Sequence, residues 1–168
     1  MKQLRVGVDI GSTTIKLVIL NEAENILFHQ YQRHFSDIPR AFAGILESAR
    51  SLLSESPFAI IVTGSAGIGI ADGLNLPFVQ EVIACTAGIK KYLPATNTAV
   101  ELGGEDAKIT YFYDNMEQRM NGVCAGGTGS FIDHMATLLN TDASGLNEMA
   151  KKAKTIHPIA SRYGVFAK

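Results

Sequence analysis

The sequence predicts an α/β fold that opens with a three-stranded antiparallel meander. Three observations predict it. Short β-branched apolar runs recur and end in glycines. Between them lie segments whose apolar residues repeat at helical spacing. After the opening strands the two kinds of segment alternate, the order expected of α/β domains.

The elements follow in order. "LRVGVDIG" (Leu4–Gly11) is a first strand, alternating and β-branched. "TIKLVILNEAENILFHQYQRHF" (Thr14–Phe35) holds two more strands around a turn at Asn21–Asn25, and the first hairpin turns at "GSTT". In "SDIPRAFAGILESARSLLSES", Ile38, Phe42, Ile45, Leu46, Ala49, Leu52 and Leu53 predict one helix. Ser36 or Asp37 caps it and Pro39 suits its first turn. "FAIIVTGSAG" is a buried strand running into glycines, Val79–Leu93 a helix, and Thr96–Gly104 a strand ending in two glycines. "AKITYFYDN" and "EQRMNG" form a hairpin turning at Asp114–Asn115. Helices are expected at Ser130–Asn140 and near Gly145–Lys154. No internal repeat is visible. The chain ends in the apolar "GVFAK", which predicts that residues 1–168 are a first lobe cut from a longer two-lobe or multidomain chain.

Composition narrows the class. The 168 residues are 46% hydrophobic and 18% charged, with a formal net charge of -1. That balance gives no basic surface for nucleic acid and no acidic tail. Apolar runs are too short for a transmembrane helix, and the N-terminus lacks a signal-peptide pattern, so a cytoplasmic protein is expected. In that compartment Cys85 and Cys124 are not expected to pair. Cys85 is read as a small buried hydrophobe. His29, His34, His134 and His157 show no metal-ligand spacing, and His134 is read as a surface or packing residue.

Two stretches carry phosphate chemistry. In "VGVDIGSTTIKLVIL", Asp9 ends a buried strand, and Gly11, Ser12, Thr13 and Thr14 follow, with Lys16 just beyond. A tight turn with hydroxyls and free N–H groups wraps a phosphate chain, and a carboxylate beside it holds Mg²⁺ through water. An ordinary polar hairpin would read the same way. In "VELGGEDAKITYF" the pattern returns: Glu101, then Gly103 and Gly104, then Glu105, Asp106 and Lys108. Two such hairpins facing each other would grip a triphosphate and its metal. The ordered pair is more specific than either alone.

This arrangement resembles the ATPase fold shared by actin, hexokinase-type sugar kinases and heat-shock chaperones. The resemblance implies a ribonuclease H-like lobe with a mixed central sheet, helices on both faces, and the two hairpins as its phosphate-1 and phosphate-2 loops. Fold alone leaves function open. "NGVCAGGTGSFIDHMATLL" (Asn121–Leu139) narrows it. With "DIGSTTIKLVI", "ELGGEDAK" and "SRYGVFAK" in the same order, it resembles the activators of 2-hydroxyacyl-CoA dehydratases, a family including the ATPase subunits of benzoyl-CoA reductases.

The resemblance implies a homodimer holding one [4Fe–4S] cluster across its two-fold axis. ATP hydrolysis would drive one-electron transfer to a dehydratase or reductase partner. It implies Mg-ATP handling by Asp9, Glu101 and Asp106 with Gly11–Thr14, Lys16, Gly103–Glu105 and Lys108, and cluster binding through Cys124. Gly126, Gly127, Thr128 and the N–H groups opening the following helix would then lie near the cluster sulfurs. Glu81 matches a family glutamate near the active site. Three positions depart from the pattern. Tyr163 stands where the second cysteine is expected, leaving one thiolate per subunit against the four ligands a cluster takes. Glu101 and Glu105 stand where Asp and Gln are commoner. A sugar kinase of the same fold, with Asp106 as general base, and a cluster-less nucleotide-binding regulatory lobe are the alternatives. The adenine pocket would be built largely by a second lobe, so these residues alone are expected to bind nucleotide weakly.

Overall fold

A computed structural model describes residues 3–113, 116–121 and 126–158. It divides into two units, Met1–Ala95 and Thr96–Lys168.

In the first unit, strands β1 (Leu4–Ile10), β2 (Thr14–Leu20) and β3 (Ile26–Arg33) form the expected meander. Strand β4 (Phe58–Thr63) adds to β1 in parallel, giving a mixed sheet of order β3-β2-β1-β4. The pleat explains the alternation read from the sequence. Leu4, Val6, Val8 and Ile10 of β1, with Ile15, Leu17 and Ile19 of β2, are buried. They pack with Ala41, Phe42 and Ile45 of helix α1 (Ile38–Ser48). Each fully buried Ile, Leu or Val contributes roughly 1.5–3 kcal/mol. Asp37 caps α1 by accepting from Arg40 N–H at 3.2 Å, and Pro39 lies in the first turn, as the sequence predicts.

Two departures occur here. The single helix expected over residues 38–56 is two, α1 and α2 (Arg50–Glu55). At Ala49 the N–H bonds back to Leu46 O at 3.0 Å, an i→i+3 closure that ends α1 and starts the next turn. Helix α3 (Ile68–Gly73) lies where no element was expected. Its "IGIADG" has poor intrinsic propensity, and burial of Ala71 in the core supports it. Helix α4 (Glu81–Tyr92) matches the expected span. Its Lys91, with Arg5 of β1, pairs with Glu24 in the β2–β3 turn. Cys85 is exposed on α4, not buried, because α4 has no fully buried residue among those described.

In the second unit, β5 (Thr98–Leu102), β6 (Ala107–Tyr111) and β7 (Glu117–Met120) form another antiparallel meander in that order. Helices α5 (Gly129–Leu138) and α6 (Ala143–Lys151) follow, each started by a capping side chain, Thr128 and Asp142 respectively. The expected turn at Asp114–Asn115, Cys124 and Tyr163 lie outside the described residues. No helix of the described residues is long and apolar enough to cross a membrane.

Candidate functional site

The first hairpin is built by register. Because the even-numbered residues of β1 are buried, Asp9 belongs to the opposite face. Its register partners are Lys16 on β2 and Thr63 on β4, and Lys16 is opposite Tyr31 on β3. One row, Thr63–Asp9–Lys16–Tyr31, therefore crosses all four strands. Lys16 Nζ donates to Asp9 Oδ2 at 2.6 Å and lies 5.9 Å from the Tyr31 ring centroid.

The turn at the end of this row is Gly11–Thr13, half-buried. Gly11 N–H donates to Thr14 O at 2.9 Å and closes it. Thr14 itself is buried as the first residue of β2, so the turn presents Ser12 and Thr13 rather than all three hydroxyl residues. A Cβ on Gly11 would meet nothing nearer than Thr14 O at 3.7 Å. The protein's own packing thus does not demand a glycine there.

Sequence reasoning missed two supports of this turn. The first is the segment after β4. Gly64 has φ +92°, and a Cβ on it would fall 2.3 Å from Ile10 O and 2.5 Å from Asp9 Oδ1. Only a residue without a side chain lets this loop pass beneath the Asp9 carboxylate. Ala66 N–H donates to Ile10 O at 3.0 Å and ties the loop to β1. Beside it the buried Thr63 Oγ1 has no hydrogen-bond partner among the described residues. The glycines of "TGSAG" signalled a turn; that it serves Asp9 follows only from the parallel β1–β4 pairing. The second support is His34, buried at 5% exposure, which contacts the turn from the end of β3. No sequence motif marks it.

The second hairpin repeats the first. Glu101 pairs with Lys108 as Asp9 pairs with Lys16, seven residues apart in both, and a glycine stands two residues after each carboxylate. The last register pairs, Ile10–Ile15 and Leu102–Ala107, each enclose four residues. Lys108 is buried, and its Nζ lies 3.4 Å from Asp106 Oδ2. The Asp106 carboxylate folds over Gly103, where a Cβ would sit 2.5 Å from Asp106 Oδ1. Glu105 is exposed at the tip. Asn121 brackets the base of β6, donating its N–H to Ala107 O at 2.9 Å and accepting from Ala107 N–H at 2.8 Å.

Helix α5 docks on this turn. Gly129 N–H donates to Gly103 O at 2.7 Å, and Ser130 N–H to Gly104 O at 3.2 Å. Phe131 N–H donates to Thr128 Oγ1 at 3.4 Å, and Ile132 N–H to Thr128 O at 3.1 Å. This corrects an expectation. The first-turn amides of α5 were expected to be free for a cluster or other anion, and the protein's own oxygens already occupy them. Thr128 is fully buried as the cap. Gly127, at φ +82°, has open space around its Cα. Gly126 and Gly127 thus lead into a helix anchored on the Gly103–Gly104 turn. Glu81 lies in the first turn of α4, where its charge suits the helix dipole. Among the described residues no group of three or more His, Cys, Asp and Glu could hold a metal ion.

The model of the BadF/BadG/BcrA/BcrD ATPase family matches residues 6–168. The chain is 30% identical over 166 residues to the 2-hydroxyisocaproyl-CoA dehydratase activator of Clostridioides difficile, covering 96% of this chain and 62% of that protein. Its fold matches component A of the (R)-2-hydroxyglutaryl-CoA dehydratase of Acidaminococcus fermentans with TM-score 0.82 and 28% identity, covering 98% of this chain and 64% of that one. It also matches the solved activator of the 2-hydroxyisocaproyl-CoA dehydratase from Clostridium difficile with bound ADPNP, with TM-score 0.79 and 28% identity over 99% and 63% of the two chains. The chain thus spans less than two thirds of these relatives.

Proposed function

The chain belongs to the BadF/BadG/BcrA/BcrD ATPase family, and from that premise we propose that it is the phosphate- and metal-handling part of an ATP-dependent activator acting on a 2-hydroxyacyl-CoA dehydratase or benzoyl-CoA reductase-type partner. The observation that carries this reading is the repeated hairpin: a carboxylate, a glycine two residues on, and a register-paired lysine, twice in one chain.

The residues present fit Mg-ATP. In the first hairpin Asp9 is positioned to hold Mg²⁺ through water, and Ser12 and Thr13 offer N–H and hydroxyl donors to phosphate oxygens. Lys16 pairs with Asp9 and is the cation of this hairpin that would meet a phosphate beside it. In the second hairpin Gly103, Gly104 and Glu105 form the turn, with Asp106 and Lys108 paired behind it. Bound Mg²⁺ would neutralise phosphate charge; the chain's own part is to aim donors, from turns in which Gly103, unlike Gly11, is barred from a Cβ by the protein's own packing. Homodimer formation belongs to the same reading.

The fit to an iron–sulfur cluster turns on Cys124, which lies outside the described residues. The α5 amides are occupied, and the sequence carries Tyr163 where a second thiolate is expected. The electron-transfer part of the reading rests on Cys124. Anaerobic reconstitution with iron and sulfide tests it, and a chain that develops no broad visible absorbance has lost the electron-transfer half. The kinase alternative needs Asp106 as a base, and its pairing with Lys108 works against that role.

The nucleotide half is tested by titrating Mg-ATP while following backbone amide resonances. Shifts at Ser12, Thr13, Gly103 and Gly104 are expected at millimolar concentrations. Saturating nucleotide that leaves all four unmoved would refute it.

A further inference from the structure

We propose that His34 is a positioning residue that aims the Gly11–Thr13 turn toward phosphate, an inference that rests on the nucleotide reading above. His34 bonds to the turn twice. Its ring Nε2 is 3.0 Å from Gly11 O. Its backbone N–H donates to Thr13 O at 3.3 Å. The ring is itself fixed, because Ser36 N–H donates to Nδ1 at 3.1 Å. An Nδ1 that accepts leaves the ring proton on Nε2, so Nε2–H donates to Gly11 O. His34 O in turn accepts from Asp37 N–H at 2.8 Å, and Asp37 caps α1. The turn is therefore braced through His34 against the start of a core helix.

The consequence for phosphate is geometric. A carbonyl oxygen turned toward a phosphate repels it; an N–H attracts it. No peptide bond among the described residues is cis, and across a trans peptide the C=O and the next N–H point in opposite directions. Holding Gly11 O against His34 therefore drives Ser12 N–H to the other side. Ser12 N–H enters no backbone hydrogen bond among the described residues. It is presented, not spent. Without His34 the Gly11–Ser12 peptide is free to flip and turn its carbonyl outward. Phe35 and Ser36, at φ 48° and 64°, hold uncommon left-handed backbone that places Ser36 N–H on the ring. Left-handed non-glycine residues cost free energy, and this brace is what two in succession secure.

His34→Leu removes both ring contacts at similar size, and His34→Gln keeps an N–H₂ donor near the Nε2 position. Mg-ATP affinity is read by amide shift titration. His34→Leu is expected to weaken binding by about tenfold, the loss of roughly one hydrogen bond's free energy, and His34→Gln to recover most of it. A leucine variant that folds and binds like wild type overturns the inference while leaving the nucleotide reading intact. A wild-type protein that binds no Mg-ATP sinks both. Should the leucine variant fail to fold, a through-bond coupling between His34 Nε2 and the Gly11 carbonyl carbon in the wild type decides. Its presence, with Nδ1 unprotonated, supports the brace, and a ring protonated on Nδ1 alone overturns it.

Discussion

Lys16 Nζ lies 2.6 Å from Asp9 Oδ2 across the β1–β2 hairpin, in a row of side chains that spans the whole first sheet. The lysine is 41% exposed and the aspartate 28%. Pairs this open contribute at most about 1 kcal/mol to stability. Its position beside the turn, not its strength, gives it interest.

Lys16→Met is therefore expected to shift the urea midpoint little, a change within about 1 kcal/mol. Mg-ATP affinity is expected to fall by about tenfold or more, because a charge-assisted contact to phosphate is worth about 1.5–3 kcal/mol. Equilibrium unfolding and nucleotide titration on one preparation separate the two effects. A large stability loss with unchanged binding would make Lys16 structural.

Gly64→Ala and Gly11→Ala are expected to differ in kind. At Gly64 the new Cβ meets Ile10 O at 2.3 Å in a left-handed backbone, so the variant should lose on the order of 1–3 kcal/mol or more. At Gly11 the nearest atom is 3.7 Å away, and stability should be unchanged. Any defect in Gly11→Ala must then come from the ligand side. Thermal unfolding of the two variants checks the contrast.

Asp106→Asn removes the carboxylate that lies 3.4 Å from the buried Lys108 ammonium. Removing one member of a buried pair costs about 3–5 kcal/mol. Asp106 is 35% exposed, so a smaller loss is expected, roughly 1–2 kcal/mol. Amide exchange should report it in β5, β6 and β7. Unchanged protection in those strands would contradict it.

Glu24 sets a pH dependence. Its hydrogen bond from Lys91, aided by Arg5, holds its carboxyl below the ordinary carboxylate value. A depressed folded value means stabilisation that is complete above the unfolded pKa and lost as pH falls through the folded one. Glu24→Gln should thus lower the urea midpoint at neutral pH, and the gap from wild type should close in acid. A gap that persists unchanged at low pH would assign it to something other than the charge.

Much of this was legible from local chemistry. The burial alternation of β1 and β2, the Asp37 cap, and the two carboxylate–glycine turns each express a rule that acts within a few residues. The illegible parts depend on distant partners. Gly64 matters because β4 runs parallel to β1 and carries its loop under Asp9. His34 matters because its ring reaches a carbonyl 23 residues away. Helix α3 forms from a glycine-rich segment through burial rather than propensity. The break at Ala49 left no mark either, since the apolar spacing continues through it. The occupied amides of α5 were hidden for the same reason: their acceptors, Gly103 O and Gly104 O, come from another turn.

Those two acceptors have a mechanical meaning. A helix bolted by its first two amides to consecutive carbonyls of a neighbouring loop has no slack against it. Gly129 allows the approach, since a Cβ there would already press on Gly103 O at 3.0 Å. Displace the loop by a fraction of an ångström, and α5 either follows as a rigid rod or sheds both bolts.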